Sequence, residues 1–166
     1  SNLIITLFVP QNPFTALSPL TKITKQFFIT QERKKDLFRQ VGLDPILLDR
    51  FAPELSGGQL QRVVIAMALE ANPKLILLDE PTTALDPQTK SVIIKLLKEL
   101  QEKMGFKMLF VTHDITSAHS LCDDICVIKD GLLVENGKMS DILDNPQAAY
   151  TKMLIEANFA NREFRE

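Results

Sequence analysis

Three short runs of mostly apolar residues stand out because they show no regular alternation of polar and apolar positions. They are residues 3–9, 74–78 and 107–112. Branched aliphatic and aromatic side chains dominate them, which is typical of strands buried on both faces of a parallel sheet. Between and beside them, apolar residues recur at helical spacing. These helical segments are 23–41, 59–70 and 87–104. Strands that alternate with helices predict an α/β protein with a parallel sheet.

The pattern changes in the last third of the chain. Two short apolar runs, 125–129 and 132–135, flank Asp130-Gly131, a dipeptide that favours a tight β-hairpin turn. Helical spacing returns over 147–157, and residues 158–166 are expected to form a frayed, polar tail. The C-terminal part therefore predicts a hairpin followed by a helix.

Polar residues that can cap a helix lie within the first helical segment, at the start of a possible short helix over 44–48, and before the other two segments. We predict that each side-chain oxygen accepts a hydrogen bond from a backbone N–H of the first helical turn. The capping residues are Thr30, Asp44, Ser56 and Asp86. Pro45 and Pro87 follow two of them, in the position where a helix tolerates proline best.

The sequence LSGGQ at 55–59 joins a loop to the second helix. Ser56 can cap that helix, and Gly57 and Gly58 allow backbone N–H groups to approach a ligand closely. A helix N-terminus without bulky side chains is suited to bind a phosphate group.

Two carboxylates, Asp79 and Glu80, end the second apolar run. Parallel α/β sheets bind ligands at the carboxyl ends of their strands. At that position one carboxylate can hold Mg²⁺, while the next orients or deprotonates a water molecule.

Four motifs in this order resemble the ATP-binding cassette (ABC) ATPase family, over nearly the whole chain. They are LSGGQ at 55–59, DEP at 79–81, TALD at 83–86 and THD at 112–114. The resemblance implies part of the P-loop NTPase (ABC ATPase) fold, with a parallel-sheet core, a helical subdomain and a C-terminal β-hairpin plus helix. It divides the chain into a core strand with the Q-loop (1–18), a helical subdomain with LSGGQ (19–72), and the remaining RecA-like core part (73–166).

The resemblance also implies catalytic and metal-binding roles. Gln11 opens the implied Q-loop, and the amide oxygen of its side chain is expected to reach Mg²⁺ and water. Asp79 is the implied Mg²⁺ ligand and Glu80 the general base for the attacking water. His113 is expected to contact the γ-phosphate and to hold Glu80 and the water in place.

Other residues are expected to act across a dimer interface, because the family hydrolyses ATP between two head-to-tail subunits. The signature motif of one subunit closes over ATP that is held mainly by the other. The implied nucleotide-binding residues are Ser56, Gly57, Gly58 and Gln59. Asp86 lies in the implied D-loop, which crosses the same interface.

A P-loop, Gly-x-x-x-x-Gly-Lys-Ser/Thr, does not occur in the sequence. The nearest match, 131–139, has five residues between its glycines and Met139 where Ser or Thr belongs. In the family, the P-loop precedes the Q-loop. We therefore expect the chain to lack its N-terminal P-loop lobe and to be either a fragment or one piece of a split protein. It should be inactive alone and exposed on one face of its sheet, and it should be either poorly stable as a monomer or associated in a way that hides this face.

Two segments, 11–19 and 145–154, resemble the peptide and nickel importer branch of the family. The implied function is the ATP-binding and ATP-hydrolysing subunit of an importer for oligopeptides, dipeptides or nickel. Its cofactors would be ATP and Mg²⁺. Its partners would be transmembrane permease subunits, a second ATPase subunit in a homodimer or heterodimer, and the N-terminal P-loop lobe. Its location would be peripheral, on the cytoplasmic face of the inner membrane.

Composition and charge exclude some classes of function. The net charge of −2 gives no electrostatic footprint for nucleic acid, so no nucleic-acid partner is expected. No apolar run approaches the roughly 18–20 residues of a membrane span, so membrane association is expected through a partner. Two alternatives stay open. One is the C-terminal lobe of a DNA-repair or chromosome-maintenance ATPase, which predicts a coiled coil that the sequence lacks. The other is a catalytically inactive interaction module.

Overall fold

The computed structural model describes the backbone of residues 6–163 and the side chains of residues 6–159. The chain forms two compact units, Ser1–Val111 and Thr112–Glu166. The division into 1–18, 19–72 and 73–166 that the sequence suggests stays a prediction.

The first unit contains a three-stranded parallel sheet in the order β1-β2-β3. The strands are β1 (Thr6–Val9), β2 (Leu75–Asp79) and β3 (Lys107–Val111). Leu78 of the central strand pairs with Val9 on one side and with Phe110 on the other. The predicted α/β class with a parallel sheet is confirmed, while residues 3–5 of the first predicted strand lie outside the described residues.

Three α-helices accompany this sheet. They are α1 (Gln31–Gln40), α2 (Gly57–Leu69) and α3 (Pro87–Met104). Thr30, Ser56 and Asp86 cap them as predicted, each accepting a hydrogen bond from a backbone N–H of the first turn. Asp44 likewise caps a 3₁₀ turn, Pro45–Asp49.

The helix predicted over 23–41 is wrong in its first half. A 3₁₀ turn covers Ile23–Gln26, and the chain is then irregular until α1 begins at Gln31. Phe27 packs edge-on against Phe38 with 5.9 Å between ring centroids, so the two segments fold against each other. Helical spacing in the sequence arises here from two elements that share one core.

The two faces of the sheet differ in burial. Val9, Ile76 and Leu78 are at most 2% exposed, and α2 packs against β1. On the other face Phe8, Leu109 and Val111 are each more than half exposed, at 57%, 55% and 52%. The apolar, exposed sheet face that the sequence suggests is therefore present.

In the described part of the second unit, residues 112–163, the chain forms a β-hairpin and three helices. The strands are β4 (Asp124–Lys129) and β5 (Leu132–Lys138); the helices are α4 (Ile115–Leu121), α5 (Met139–Asp144) and α6 (Ala149–Glu163). Asp130 and Gly131 have φ of 51° and 77°, which the tight turn between twisted strands requires. Among the described helices of the whole chain, none combines the length and the apolar character needed to cross a membrane.

The tail predicted over 158–166 is wrong as far as residue 163, because α6 continues to Glu163. Asn158 is fixed by hydrogen bonds to two other parts of the unit. Its polar side chain is a structural contact and not a sign of fraying.

Candidate functional site

The N-terminus of α2 is held by two side chains of the LSGGQ motif. Ser56 Oγ accepts a hydrogen bond from the Gln59 N–H at 3.3 Å, and Gln59 Oε1 accepts one from the Ser56 N–H at 2.9 Å. This reciprocal pair is a capping box, which satisfies two backbone donors. The side chains of Ser56 and Gln59 therefore stabilise the helix start, and the N–H groups of the first helical turn have no partner within the helix.

The two glycines of the motif have different surroundings. Gly57 is exposed, and a Cβ placed there would lie 3.7 Å from Leu85 Cδ2, an ordinary contact. Gly58 is buried, and a Cβ there would overlap the methyl group of Thr89. Gly58 is therefore required for the close packing of α2 on α3, whereas Gly57 leaves the helix start open to a ligand.

Asp86 fixes the residue that packs on Gly58. Its carboxylate accepts hydrogen bonds from the Thr89 N–H at 3.0 Å and from the Thr89 hydroxyl at 2.5 Å. The side-chain and backbone hydrogen bonds from Thr89 lower the pKa of Asp86. The cap of α3 and the start of α2 are thus joined through Thr89.

We expect Ser56→Ala to lower the free energy of unfolding by about 1 kcal/mol, because it removes the N-cap of α2. Urea denaturation followed by circular dichroism measures this change. Ser56→Thr is the matched control, since threonine also caps helices and should retain most of the stability. Equal stabilities of wild type and Ser56→Ala would show that the cap does not contribute.

Glu80 lies directly after β2 in an unusual backbone conformation. Its φ is 46°, in the left-handed region that residues with a side chain seldom adopt. The Glu80 N–H donates to the Val111 carbonyl at 2.8 Å, and the Thr83 hydroxyl donates to Glu80 Oε2 at 2.6 Å. The backbone and the carboxylate are therefore both held, as is common for residues that carry a site's chemistry.

Gln11 and Asp79 lie at the same edge of the sheet. Val9, the last residue of β1, pairs with Leu78, so Gln11 follows β1 where Asp79 ends β2. Gln11 is exposed and Asp79 is half-buried. Within residues 6–159 no group of three or more His, Cys, Asp or Glu side chains could hold a metal ion. Protein-bound Mg²⁺ often keeps several water ligands and takes others from substrate phosphates, so few protein ligands are needed. One carboxylate oxygen and one amide oxygen are compatible with such a site.

His113 belongs to the second unit, two residues after β3, and its side chain is exposed. The next residue, Asp114, caps α4 and accepts hydrogen bonds from the N–H groups of Thr116 and Ser117. The His113 carbonyl accepts a hydrogen bond from Asn158 Nδ2 at 3.3 Å. Sequence reasoning missed Asn158, although the helical spacing of 147–157 could have been extended past it.

Comparison with known proteins gives a consistent result. The family model described as "ABC transporter" matches residues 6–83. The peptidoglycan transport ATP-binding protein YejF of Agrobacterium fabrum is 42% identical over 161 residues, and the oligopeptide transport ATP-binding protein OppD of Bacillus subtilis is 40% identical over 160. These alignments cover 89% and 87% of this chain but only 30% and 44% of the relatives, so the chain spans less than half of their length.

Solved structures with a similar fold include two proteins. The cbiO1 protein of Clostridium perfringens, part of the ABC transporter complex cbiONQ, has a TM-score of 0.74 at 30% identity, covering 84% of this chain and 59% of that one. The cassette MJ0796, a dimer in a post-hydrolysis state with ADP and Pi, has a TM-score of 0.68 at 34% identity, covering 81% and 63%.

Proposed function

Because the chain belongs to the ATP-binding cassette (ABC) transporter family, we propose that it is part of the ATP-hydrolysing subunit of an importer for oligopeptides, dipeptides or nickel. The observation that carries this proposal is the α2 N-terminus, where a capping box leaves Gly57 exposed at a helix start suited to phosphate. Glu80, held at the end of β2 in the same unit, supplies the second element of an ATPase site.

In this proposal each polar residue of the site has a distinct role toward ATP. Asp79 and Gln11 would hold Mg²⁺, which neutralises charge on the phosphates. Glu80 accepts a proton from the attacking water, and Thr83 orients its carboxylate through the 2.6 Å hydrogen bond. His113 contacts the γ-phosphate.

A second ATPase subunit would complete the site. The α2 N-terminus, from Ser56 to Gln59, faces the γ-phosphate of ATP bound mainly by that second subunit. Asp86, whose loop precedes α3, lies at the same interface. The packing of Gly58 on Thr89 supports this arrangement, because it places both motifs on one rigid surface.

The phosphate cradle itself would come from a P-loop lobe outside these 166 residues, because no P-loop sequence occurs within them. The exposed apolar sheet face formed by Phe8, Leu109 and Val111 supports the proposal that this lobe docks there. Without it we expect this chain to be inactive.

A membrane permease would be the other partner. Leu20 and Phe28, in the segment before α1, are 88% and 92% exposed and would suit an apolar contact with a permease. The subunit would then be peripheral, on the cytoplasmic face of the inner membrane. To distinguish the two cargoes, uptake of labelled oligopeptides and uptake of nickel are each measured in cells that lack the chain and again after the chain is restored.

The direct test of this proposal is calorimetric titration of Mg²⁺-ATP into the 166-residue chain, with Glu80→Gln in parallel to suppress turnover. We expect no binding at millimolar nucleotide, because the residues of this chain can close over a triphosphate but not cradle it. Adding a separately produced P-loop lobe should restore both binding and ATP hydrolysis.

Two results would contradict the proposal. Micromolar binding to the chain alone would show that its phosphate site lies within these residues. Binding without any hydrolysis after the lobe is added would favour an inactive interaction module.

A further inference from the structure

Asn158 connects the last helix to the segment that carries His113. We propose that Asn158 is a positioning residue, which fixes the backbone around His113 and thereby sets the direction of its imidazole. This inference rests on the proposed role of His113 at the γ-phosphate, but the contact itself lies within the second unit and needs no nucleotide.

The Asn158 side chain uses both its donor and its acceptor. Nδ2 donates to the His113 carbonyl at 3.3 Å and to the Leu154 carbonyl of its own helix at 2.8 Å. Oδ1 accepts from the Ile115 N–H at 3.1 Å. Among uncharged side chains of this length, only an amide can hold a carbonyl and an N–H at once.

These bonds restrict the segment on both sides of Asp114. The Asp114 N–H donates to Thr112 Oγ1 at 3.0 Å, and the Asp114 carboxylate caps α4. With the His113 carbonyl and the Ile115 N–H also held, the peptide groups after His113 have little freedom to rotate. The imidazole direction follows from that backbone, because χ1 preferences depend on φ and ψ.

Ile115 supplies an independent readout for the same contact. Its side chain is only 4% exposed, and its N–H lies at the start of α4, where the helix offers no partner. Removing Oδ1 leaves this donor unsatisfied, which is costly for a buried group. The rate of amide hydrogen exchange at Ile115 therefore reports whether the acceptor half of the contact is present.

Two variants separate the halves of the contact. Asn158→Asp retains an oxygen for the Ile115 N–H but loses the donor to the His113 carbonyl. Asn158→Leu keeps the branched outline of the side chain, carries no charge and loses both. Glu156→Ala, at an exposed position two residues earlier on α6, is the matched control.

The chain has only two histidines, so NMR of the imidazole groups is unambiguous. His119, exposed on α4, is the internal reference. We expect the His113 ring signals to shift and broaden in both Asn158 variants, while the His119 signals and the Glu156→Ala spectrum match wild type. Ile115 amide exchange should accelerate about tenfold or more in Asn158→Leu and remain slow in Asn158→Asp.

Unchanged His113 signals in both variants would overturn the proposal, even if Ile115 exchange accelerated, because Asn158 would then support only α4. If Asn158→Leu does not fold, a His113 signal of Asn158→Asp that coincides with wild type overturns the proposal as well. Failure of the proposed function would look different. His113→Ala would then hydrolyse ATP at the wild-type rate in the assembled ATPase, while the NMR result would stand.

Discussion

Glu80→Gln is expected to lower the ATP turnover of the assembled ATPase by about 10²- to 10⁴-fold, the usual contribution of a general base. Glutamine has nearly the same shape, and its amide can still accept a hydrogen bond from Thr83, so the turn after β2 should persist. In the proposed role of Glu80, what is lost is the ability to take a proton from water. ATP binding should therefore be retained while hydrolysis stops.

The measurement is phosphate release at saturating Mg²⁺-ATP, together with nucleotide binding by the same preparation. Glu102→Gln, an exposed carboxylate on α3, is the control for loss of one negative charge and should leave both unchanged. If Glu80→Gln retains more than about a tenth of the wild-type rate, Glu80 is not the general base.

The position of Glu80 explains why this variant should affect chemistry and not folding. Its φ of 46° is maintained by the hydrogen bond from its N–H to the Val111 carbonyl and by the turn to Thr83. These contacts involve the backbone and one carboxylate oxygen. Strain held in this way by neighbouring strands is often found where a side chain must be presented to a substrate.

Local signals in the sequence were sufficient for the elements that carry the site. Caps at Ser56 and Asp86 were predictable because a short polar side chain before a helical segment has one favoured use. The strand that ends in Asp79 was predictable because a run of branched aliphatic residues has few alternatives in a core.

Contacts between distant segments were not predictable in the same way. Nothing near Asn158 in the sequence indicates that it bonds to His113 and Ile115, which lie 45 and 43 positions away. The break between Ile23–Gln26 and α1 likewise depends on the packing of Phe27 against Phe38. Periodicity describes which residues share a core but not how many elements supply them.

Gly58 shows that contacts between distant segments were not predictable within the LSGGQ motif either. From the sequence, both glycines were expected to admit a phosphate. The structure gives Gly58 a packing role as well, because the Thr89 methyl occupies the space that a Cβ would need. Thr89 cannot easily rotate away, since its hydroxyl is bonded to Asp86 at 2.5 Å.

This packing predicts that the effect of Gly58→Ala on the free energy of unfolding depends on the methyl group of Thr89. Gly58→Ala alone should lower the free energy of unfolding by about 1–3 kcal/mol through overpacking against Thr89. Thr89→Ser removes the methyl group but keeps the hydroxyl for Asp86. In that background Gly58→Ala should be neutral or stabilising by up to about 1 kcal/mol, because alanine favours a helix over glycine.

Urea denaturation of wild type, both single variants and the double variant forms the thermodynamic cycle that measures this coupling. Gly57→Ala is the matched control: its Cβ meets only Leu85 at an ordinary distance, so its effect on stability should be the same whether or not Thr89 is replaced. Additive effects of Gly58→Ala and Thr89→Ser would contradict the packing role of Gly58 against Thr89. A coupled result for Gly58 and an uncoupled one for Gly57 would separate the glycine that joins two helices from the exposed glycine that is proposed to admit phosphate.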